Sequence, residues 1–464
     1  MSDPLDKPRS LFAMISFSMA DLHLALFSFV IGQFLLIFYE TEVGLGIWYL
    51  VLGYIIYALW NAVNDPLIGF LTDKPRSYWD KWGKRFPVVM LGALPLIFSI
   101  AFIFIPPNWD PQTQPWFYFA WFVISTCAFD TFYSMVQTSH LAQYPELFRL
   151  DNDRRKSGSI MMAMGLLGTA IGAIVPGFII VYYNRDSYGT MAWYLVGLGF
   201  LLFLLYIYGH REFPELKSRY FKDAESIRQD SFSSMLKTMF KQKNFMVVML
   251  IFFLDSIIGL SLSASIAYVV KYDLQIEAIG ATLVLAGFLL GAFGSIFLWL
   301  RFAQRLNNNR SMLIVGVFLN TIFLFPLMFF WDLLSLALFT ILLGIGGGAL
   351  RVGRNPVMAD VIDEAVLKSG KRIEGSLMGL YTFFNRLAII AQVLIFAIVH
   401  VLTGFDADPN ATTQTPLALL GIRIHTALIP MVLCFLGLIV FYKIYDLTPK
   451  RTKEIQAQIK EAGL

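Results

Sequence analysis

Long apolar runs separated by short polar gaps dominate this chain. Twelve runs are long enough to cross a bilayer, lying at about 11–38, 44–70, 88–105, 116–143, 159–182, 190–209, 244–270, 277–302, 311–330, 333–354, 374–402 and 420–443. A spanning helix takes about 20 predominantly apolar residues. The gaps alternate in charge. Of the 36 Lys and Arg residues, the odd-numbered gaps hold only Arg185 and Lys271; Arg423 sits just inside the last span on the same side, and Arg386 lies within span eleven. Short loops rich in Lys and Arg stay in the cytoplasm, so the pattern predicts both termini there and an even number of spans.

The longest polar gap falls between spans six and seven. Its later part, 231–240, sets Phe232, Met235, Leu236, Met239 and Phe240 at helical spacing, which predicts an amphipathic helix on the membrane surface. The expected organisation is a six-helix bundle over 1–209, a cytoplasmic linker over 210–243, a second six-helix bundle over 244–443 and a cytoplasmic tail over 444–464. This all-α polytopic plan is the major facilitator architecture, in which substrate binds near the midplane between two related bundles.

Composition agrees with a membrane protein. The chain is 57% hydrophobic, and its net charge of +4 is placed on one side, as topology requires and as a nucleic-acid footprint does not. The first ten residues carry charge of both signs and lead straight into a span, unlike a cleavable signal. Cys127 and Cys434 both fall in spans, which argues against a disulfide framework or a cysteine metal site.

Ionisable residues inside spans are costly, at least about 2.5–3.5 kcal/mol for a charge at the centre. They are Asp21, Asp65, Asp130, Asp255 and Arg386, joined by His23, His140 and Gln137. The densest group is Asn61, Asn64 and Asp65, which share one helical face. Pro66 has no N–H for the Ala62 carbonyl. This hard-oxygen face suits Na⁺ or a carboxylate that takes up H⁺, with helix locking by Asp65 as the alternative. Asp21 reads equally as a substrate contact or a buried hydrogen-bonding group. Asp130 reads as a network member, and Asp255 has no local partner. Arg386 cannot shed its charge and should face a carboxylate such as Asp65 or Asp21, or an anionic substrate group.

Two mixed-charge segments flank the spans. One joins spans two and three and contains Asp73, Lys84 and Arg85; the other joins spans ten and eleven and contains Asp360, Asp363, Lys371 and Arg372. On one face of opposite bundles they form a candidate salt-bridge gate.

The segments Asn61–Gly69 and Trp82–Pro87, with Asp360–Glu364 and Gly370–Gly375, make the chain resemble the glycoside–pentoside–hexuronide:cation symporters over essentially its whole length. The resemblance implies transport, with the family's span-one sugar-contacting Asp at Asp21, its cation-site Asn and second Asp at Asn64 and Asp65, and its span-eleven Lys at Arg386. It also implies departures. The first span-two Asp is Asn61 here, the span-four sugar-contacting Asp falls at Gln137, and the span-five Arg has no counterpart near Met162. One carboxylate fewer weakens a Na⁺ site more than a proton site. The same family includes lysophospholipid transporters, whose span-eleven basic residue meets an anionic headgroup.

The expectation is therefore a monomeric multi-pass transporter of the plasma membrane, not an enzyme and without a cofactor. It would couple Na⁺ or H⁺ at Asn61, Asn64 and Asp65 to a sugar or glycoside held by Asp21, Gln137, His140 and Arg386. A lysolipid or other amphiphilic anion is the alternative substrate; a non-transporting receptor or scaffold is the alternative class. No Ser/His/Asp, metal or phosphate-cradling arrangement points to catalysis.

Overall fold

A computed structural model describes residues 9–73, 79–148, 150–213, 242–369 and 374–461. The amphipathic segment 231–240 and the gate residues Lys371 and Arg372 lie outside them. The described residues contain helices and no strand. Twelve helices are long and apolar enough to cross a membrane, one for each expected span. The chain falls into two compact units, Met1–Arg228 with Ala407–Asn410, and Gln229–Asp406 with Ala411–Leu464.

The first unit holds α1 (Leu11–Ile37), α2 (Ile47–Asp73), α3 (Phe86–Phe104), α4 (Pro115–Leu147), α5 (Asp151–Ile179) and α6 (Arg185–Tyr206). The second holds α7 (Lys243–Tyr268), α8 (Ile279–Leu306), α9 (Asn309–Leu324), α10 (Leu333–Ser369), α11 (Glu374–Thr403) and α12 (Pro416–Ile444). The five main packings of the first unit are α1 on α5, α3 on α4, α2 on α4, α3 on α6 and α1 on α6. Those of the second are α7 on α11, α9 on α10, α8 on α10, α9 on α12 and α7 on α12. Adding six to each helix number converts the first set into the second, so the two units are repeats of one packing scheme.

The repeat extends to local detail. The first helix of each unit ends in a π-helical stretch, Phe38–Glu42 after α1 and Val269–Asp273 after α7. Close crossings depend on glycine. A Cβ on Gly168 of α5 would collide with the Leu22 carbonyl of α1, and one on Gly291 of α8 with the Ile341 carbonyl of α10. Small residues at such points let backbones meet where lipid gives no hydrophobic drive to association. Outward positions are apolar; Leu290, Phe297 and Leu298 of α8 are all largely exposed, as suits a lipid environment.

Several helices outrun the apolar stretches that announced them. The π-helical end of α1 buries Glu40 and Glu42 where a gap was expected. Helix α10 continues through Asp360 and Asp363 to Ser369, so these residues are helical and not in a loop. The chain after α12 is likewise structured. It forms α13 (Pro449–Glu461), which packs on α10 and buries Ile455.

Candidate functional site

In the first unit the α2 and α4 faces meet through a carboxylate. Asp130 of α4 is buried, and both of its oxygens take amide hydrogens from α2. Asn61 Nδ2 donates to Oδ1 in a short contact, and Asn64 Nδ2 donates to Oδ2 at 3.2 Å. The Tyr57 hydroxyl donates to Oδ1 at 3.3 Å. One turn from this group, the Ser134 hydroxyl donates to Asp65 Oδ1 at 2.5 Å. The α2 triad is thus assembled as its helical spacing predicted, and α4 adds a second carboxylate to it. Asp130 thus sets a second carboxylate against the α2 face, where the span-two residues alone offer one.

The amide oxygen Oδ1 of Asn61 is buried and has no hydrogen-bond donor among the described residues. An orphaned acceptor of this kind costs about 1–3 kcal/mol. With the carboxylates of Asp65 and Asp130 it adds hard oxygens to the α2–α4 contact, the ligand type that small cations take.

Lower in the same unit, Asp21 of α1 meets His140 of α4, with His140 Nε2 at 3.0 Å from Asp21 Oδ2. His140 Nδ1 stands 2.9 Å from Nε2 of His210, just past α6. Gln137 takes no part; its amide reaches the Tyr133 hydroxyl of its own helix at 3.4 Å. The α4 carboxylate in contact with α2 is Asp130, which is a network member as its position in the span suggests. His210 had been read as the start of the linker, and only the fold shows it buried beside His140. Burial, with His140 adding to it, pushes the His210 imidazole down to about 3, so this ring stays neutral.

Glu212 follows at once and is also buried. Its carboxylate accepts the backbone N–H groups of Lys84, Arg85 and Phe86 at 2.8, 2.7 and 3.0 Å, and the Gln143 amide at 3.0 Å. It therefore caps α3, where backbone donors and the helix dipole favour an anion. Arg85 donates to the Thr72 hydroxyl at 3.1 Å, next to Asp73, the last residue of α2.

The second unit has its own polar group. Arg354 of α10 pairs with Asp255 of α7 at 3.3 Å and donates to the Tyr381 hydroxyl of α11 in a short contact. Its guanidinium lies over the rings of Phe252 and Tyr381 at 4.7 and 5.1 Å. Asp255, which has no local partner on its own helix, therefore finds one 99 positions away in sequence. The sequence reading ended span ten at 354 and treated Arg351 and Arg354 as loop-end charges. Their three-residue spacing within a continuing helix was the available signal. The Ser256 hydroxyl donates to Asn385 of α11 at 2.5 Å, which places Arg386 beside the α7–α11 crossing. The carboxylates of α10 expected at a gate are engaged inside their own unit. Asn309 donates to Asp360 at 2.9 Å and Gln456 of α13 to Asp363 at 3.4 Å.

The family model described as MFS/sugar transport protein matches residues 16–449, and the chain belongs to that family. Among curated proteins it is 24% identical over 441 residues to the Glucuronide carrier protein homolog of Escherichia coli (strain K12), covering 93% of this chain and 92% of that one. It is 21% identical over 447 residues to the Sodium-dependent lysophosphatidylcholine symporter 1 of Xenopus tropicalis, covering 87% and 82%. Among solved structures it resembles the D-xylose-proton symporter (TM-score 0.64, 14% identity, 95% of this chain and 98% of that one) and the nucleoside transporter NupG (TM-score 0.63, 14% identity, 94% and 100%). The protein is an integral multi-pass membrane transporter of the major facilitator fold. Its relatives are transporters and symporters, not enzymes.

Proposed function

We propose that this protein is a secondary active symporter that couples a cation, Na⁺ or H⁺, to the movement of a sugar or glycoside by alternating access. The observation that carries this reading is the α2–α4 group of buried Asp130 and Asn61 with half-buried Asp65, which brings together two carboxylates and an amide oxygen that lacks a donor among the described residues. Two carboxylates on facing helix surfaces repel one another, and a cation beside them relieves that repulsion. A cation bound there would stabilise the α2–α4 packing, and substrate binding to that packed state would then be linked to the ion. Asp21 and Arg386 are the proposed substrate contacts. The transporter is proposed to work as a monomer in the plasma membrane with both termini in the cytoplasm, as the distribution of Lys and Arg favours. Asp73 and Arg85 are proposed to govern opening on the side of the termini, together with Asp360, Asp363, Lys371 and Arg372.

The test is uptake of labelled sugars and glycosides into proteoliposomes under an imposed Na⁺ or pH gradient. Asp65→Ala should abolish ion-dependent uptake; normal coupled uptake in that variant rules out the cation group. Arg386→Ala should impair uptake more than Arg386→Lys. A second reading, an amphiphilic anion such as a lysolipid, is favoured by the charge balance of the second unit. Arg351 lies over Phe288 at 6.0 Å, three residues from Arg354, and Asp255 is the acid between them. Thermal unfolding in detergent separates the two readings. A ligand at a hundredfold excess over its dissociation constant adds about 2.7 kcal/mol, and the panel should include sugars, glycosides and lysophospholipids.

A further inference from the structure

The chain of hydrogen bonds from Tyr206 to Asp21 can be counted proton by proton. Its first link joins His210 Nδ1 to the Tyr206 carbonyl at 2.9 Å. A carbonyl only accepts, so Nδ1 carries the hydrogen. His210 is held neutral by burial, so its Nε2 is a bare acceptor. The second link, His140 Nδ1 to His210 Nε2 at 2.9 Å, then needs the hydrogen on His140 Nδ1. The third link sets His140 Nε2 against Asp21 Oδ2 at 3.0 Å. A neutral His140 with its hydrogen on Nδ1 has a lone pair at Nε2, and an ionised Asp21 has only lone pairs. Two acceptors at that distance repel. The three links close only with three hydrogens, one more than two neutral imidazoles and a carboxylate possess.

We infer that Asp21 and His140 form a proton-binding site that holds one H⁺ between a carboxylate oxygen and an imidazole nitrogen. The roles are assigned from the fixed carbonyl at the far end of the chain and need no assumption about either residue alone. The surroundings suit the bound proton. The Phe17 ring stacks on His140 at 4.2 Å and on His210 at 4.7 Å, and an aromatic face attracts an imidazolium. His140 is buried and Asp21 is one-fifth exposed, so the proton exchanges from the Asp21 side. Around the pair, α1 presents Asp21, and α6 with the residues after it presents Tyr206, His210 and Glu212. On α4 itself, Tyr133 lies two turns away and Gln143 ties His210 to Glu212. Arg85 reaches this region through its backbone bond to Glu212. From α5, Ile160 and Met161, both uncharged, pack against the apolar cluster that contains Phe17.

Loss of the proton breaks the third link and leaves Asp21 as an acceptor in need of a donor. A substrate hydroxyl is such a donor. The site would therefore trade its proton against substrate at one carboxylate, which is a coupling device separate from the α2–α4 cation group. This role in coupling rests on the symporter reading; the proton itself rests on the hydrogen-bond count.

The chain has five histidines, so ¹⁵N-histidine labelling of the purified protein in detergent gives five ring pairs to follow by NMR across a pH titration. The expected result is a His140 ring that is doubly protonated, or Nδ1–H with Nε2 accepting from a protonated Asp21, and that loses one proton in a single step. In Asp21→Asn the side-chain amide can donate to His140 Nε2, so the step should vanish while His140 keeps its hydrogen on Nδ1. If wild-type His140 and His210 are both neutral at every pH at which the protein is folded and no proton is lost from Asp21, the inference is overturned, and that result needs no variant to fold. The symporter reading fails separately, through absence of ion-driven uptake for any sugar, and such a failure leaves the NMR result standing.

Discussion

The two units repeat one packing scheme, yet they fill equivalent crossings with different chemistry. Each pairs an acid on its first helix with a basic group on its fourth, Asp21 with His140 in one and Asp255 with Arg354 in the other. Histidine can exist neutral, and its charge follows its partners. Arginine cannot be deprotonated in a protein. The first unit therefore carries a polar pair whose charge is adjustable, and the second carries one whose charge is fixed. Among repeats with the same helix contacts, the proposed proton exchange therefore belongs to the first unit, and the second holds an ion pair.

The largest effect should come from breaking the fixed pair. Arg354→Ala takes away the contacting cation of the part-buried Asp255 carboxylate and leaves only Arg351 nearby, a loss of about 3 kcal/mol. Asp21→Asn should cost under about 1 kcal/mol, because the amide still donates to His140. Denaturant or thermal unfolding of both variants checks the contrast. Equal losses would mean that the two pairs are electrostatically alike. Adding Asp255→Asn to the Arg354 variant should recover much of its loss.

How legible these features were depends on how far apart their parts lie in sequence. The twelve spans were readable because a bilayer demands long apolar runs. Their ends were not, because hydropathy stops reporting where a helix leaves the hydrocarbon, as α10 does before Ser369. The Asn61, Asn64 and Asp65 face was visible because three and four residues make one helical turn. That Asp130 would dock on it was not visible, since the partners stand 69 and 66 positions apart and only the α2–α4 packing joins them. His210 was hidden by its position after the last apolar residue of α6. A polar gap predicts solvent, and here the chain turns back under α1 and buries the ring against Phe17.

A second contrast concerns how each unit closes. After α6, Glu212 caps α3; after α12, Asp446 meets the start of α7, accepting from Lys243 at 2.5 Å and from the Asn244 amide at 2.8 Å. Glu212 is buried with three backbone donors on it, so Glu212→Ala removes the acceptor of all three bonds. The expected loss is about 2 kcal/mol, the upper end for a lost cap. Urea unfolding of the detergent-solubilised variant measures it, and a loss under about 0.5 kcal/mol would mean that water replaces the carboxylate.

The adjustable character of the first unit also predicts a slope with pH. The His210 imidazole is lowered to about 3 by burial in the folded state, against about 6.5 when unfolded. Below pH 6.5 the unfolded chain binds a proton there that the folded chain refuses. Stability thus falls as pH drops from about 6.5 toward 3, by up to about 1.4 kcal/mol per pH unit for this group. His210→Gln should flatten the curve by that amount over pH 6.5–5, and an unchanged slope would place the acid sensitivity in the other histidines.

Asp446 should give an effect as small as that of Asp21, and it tests whether the two closures differ in kind. Burial opposes ionisation of Asp446, but hydrogen bonds from Lys243 and Asn244 and the charges of Arg451 and Lys243 outweigh it and hold the carboxyl below its usual range. A lowered carboxylate stabilises the fold above its unfolded value, and that contribution is lost as pH falls through the lowered one. The side chain is one-third exposed and its partner Lys243 more than half exposed, so solvent screens the gain. Asp446→Asn should therefore cost no more than about 1 kcal/mol, and less at high salt. Glu212 is buried and accepts from three backbone N–H groups, whereas Asp446 reaches side chains that water can serve. If the Asp446 variant lost as much as the Glu212 variant, depth of burial would not be what separates the two closures. The α13 helix, whose Arg451 meets Asp446 at 3.2 Å, would then be a structural part of the second unit with no counterpart in the first.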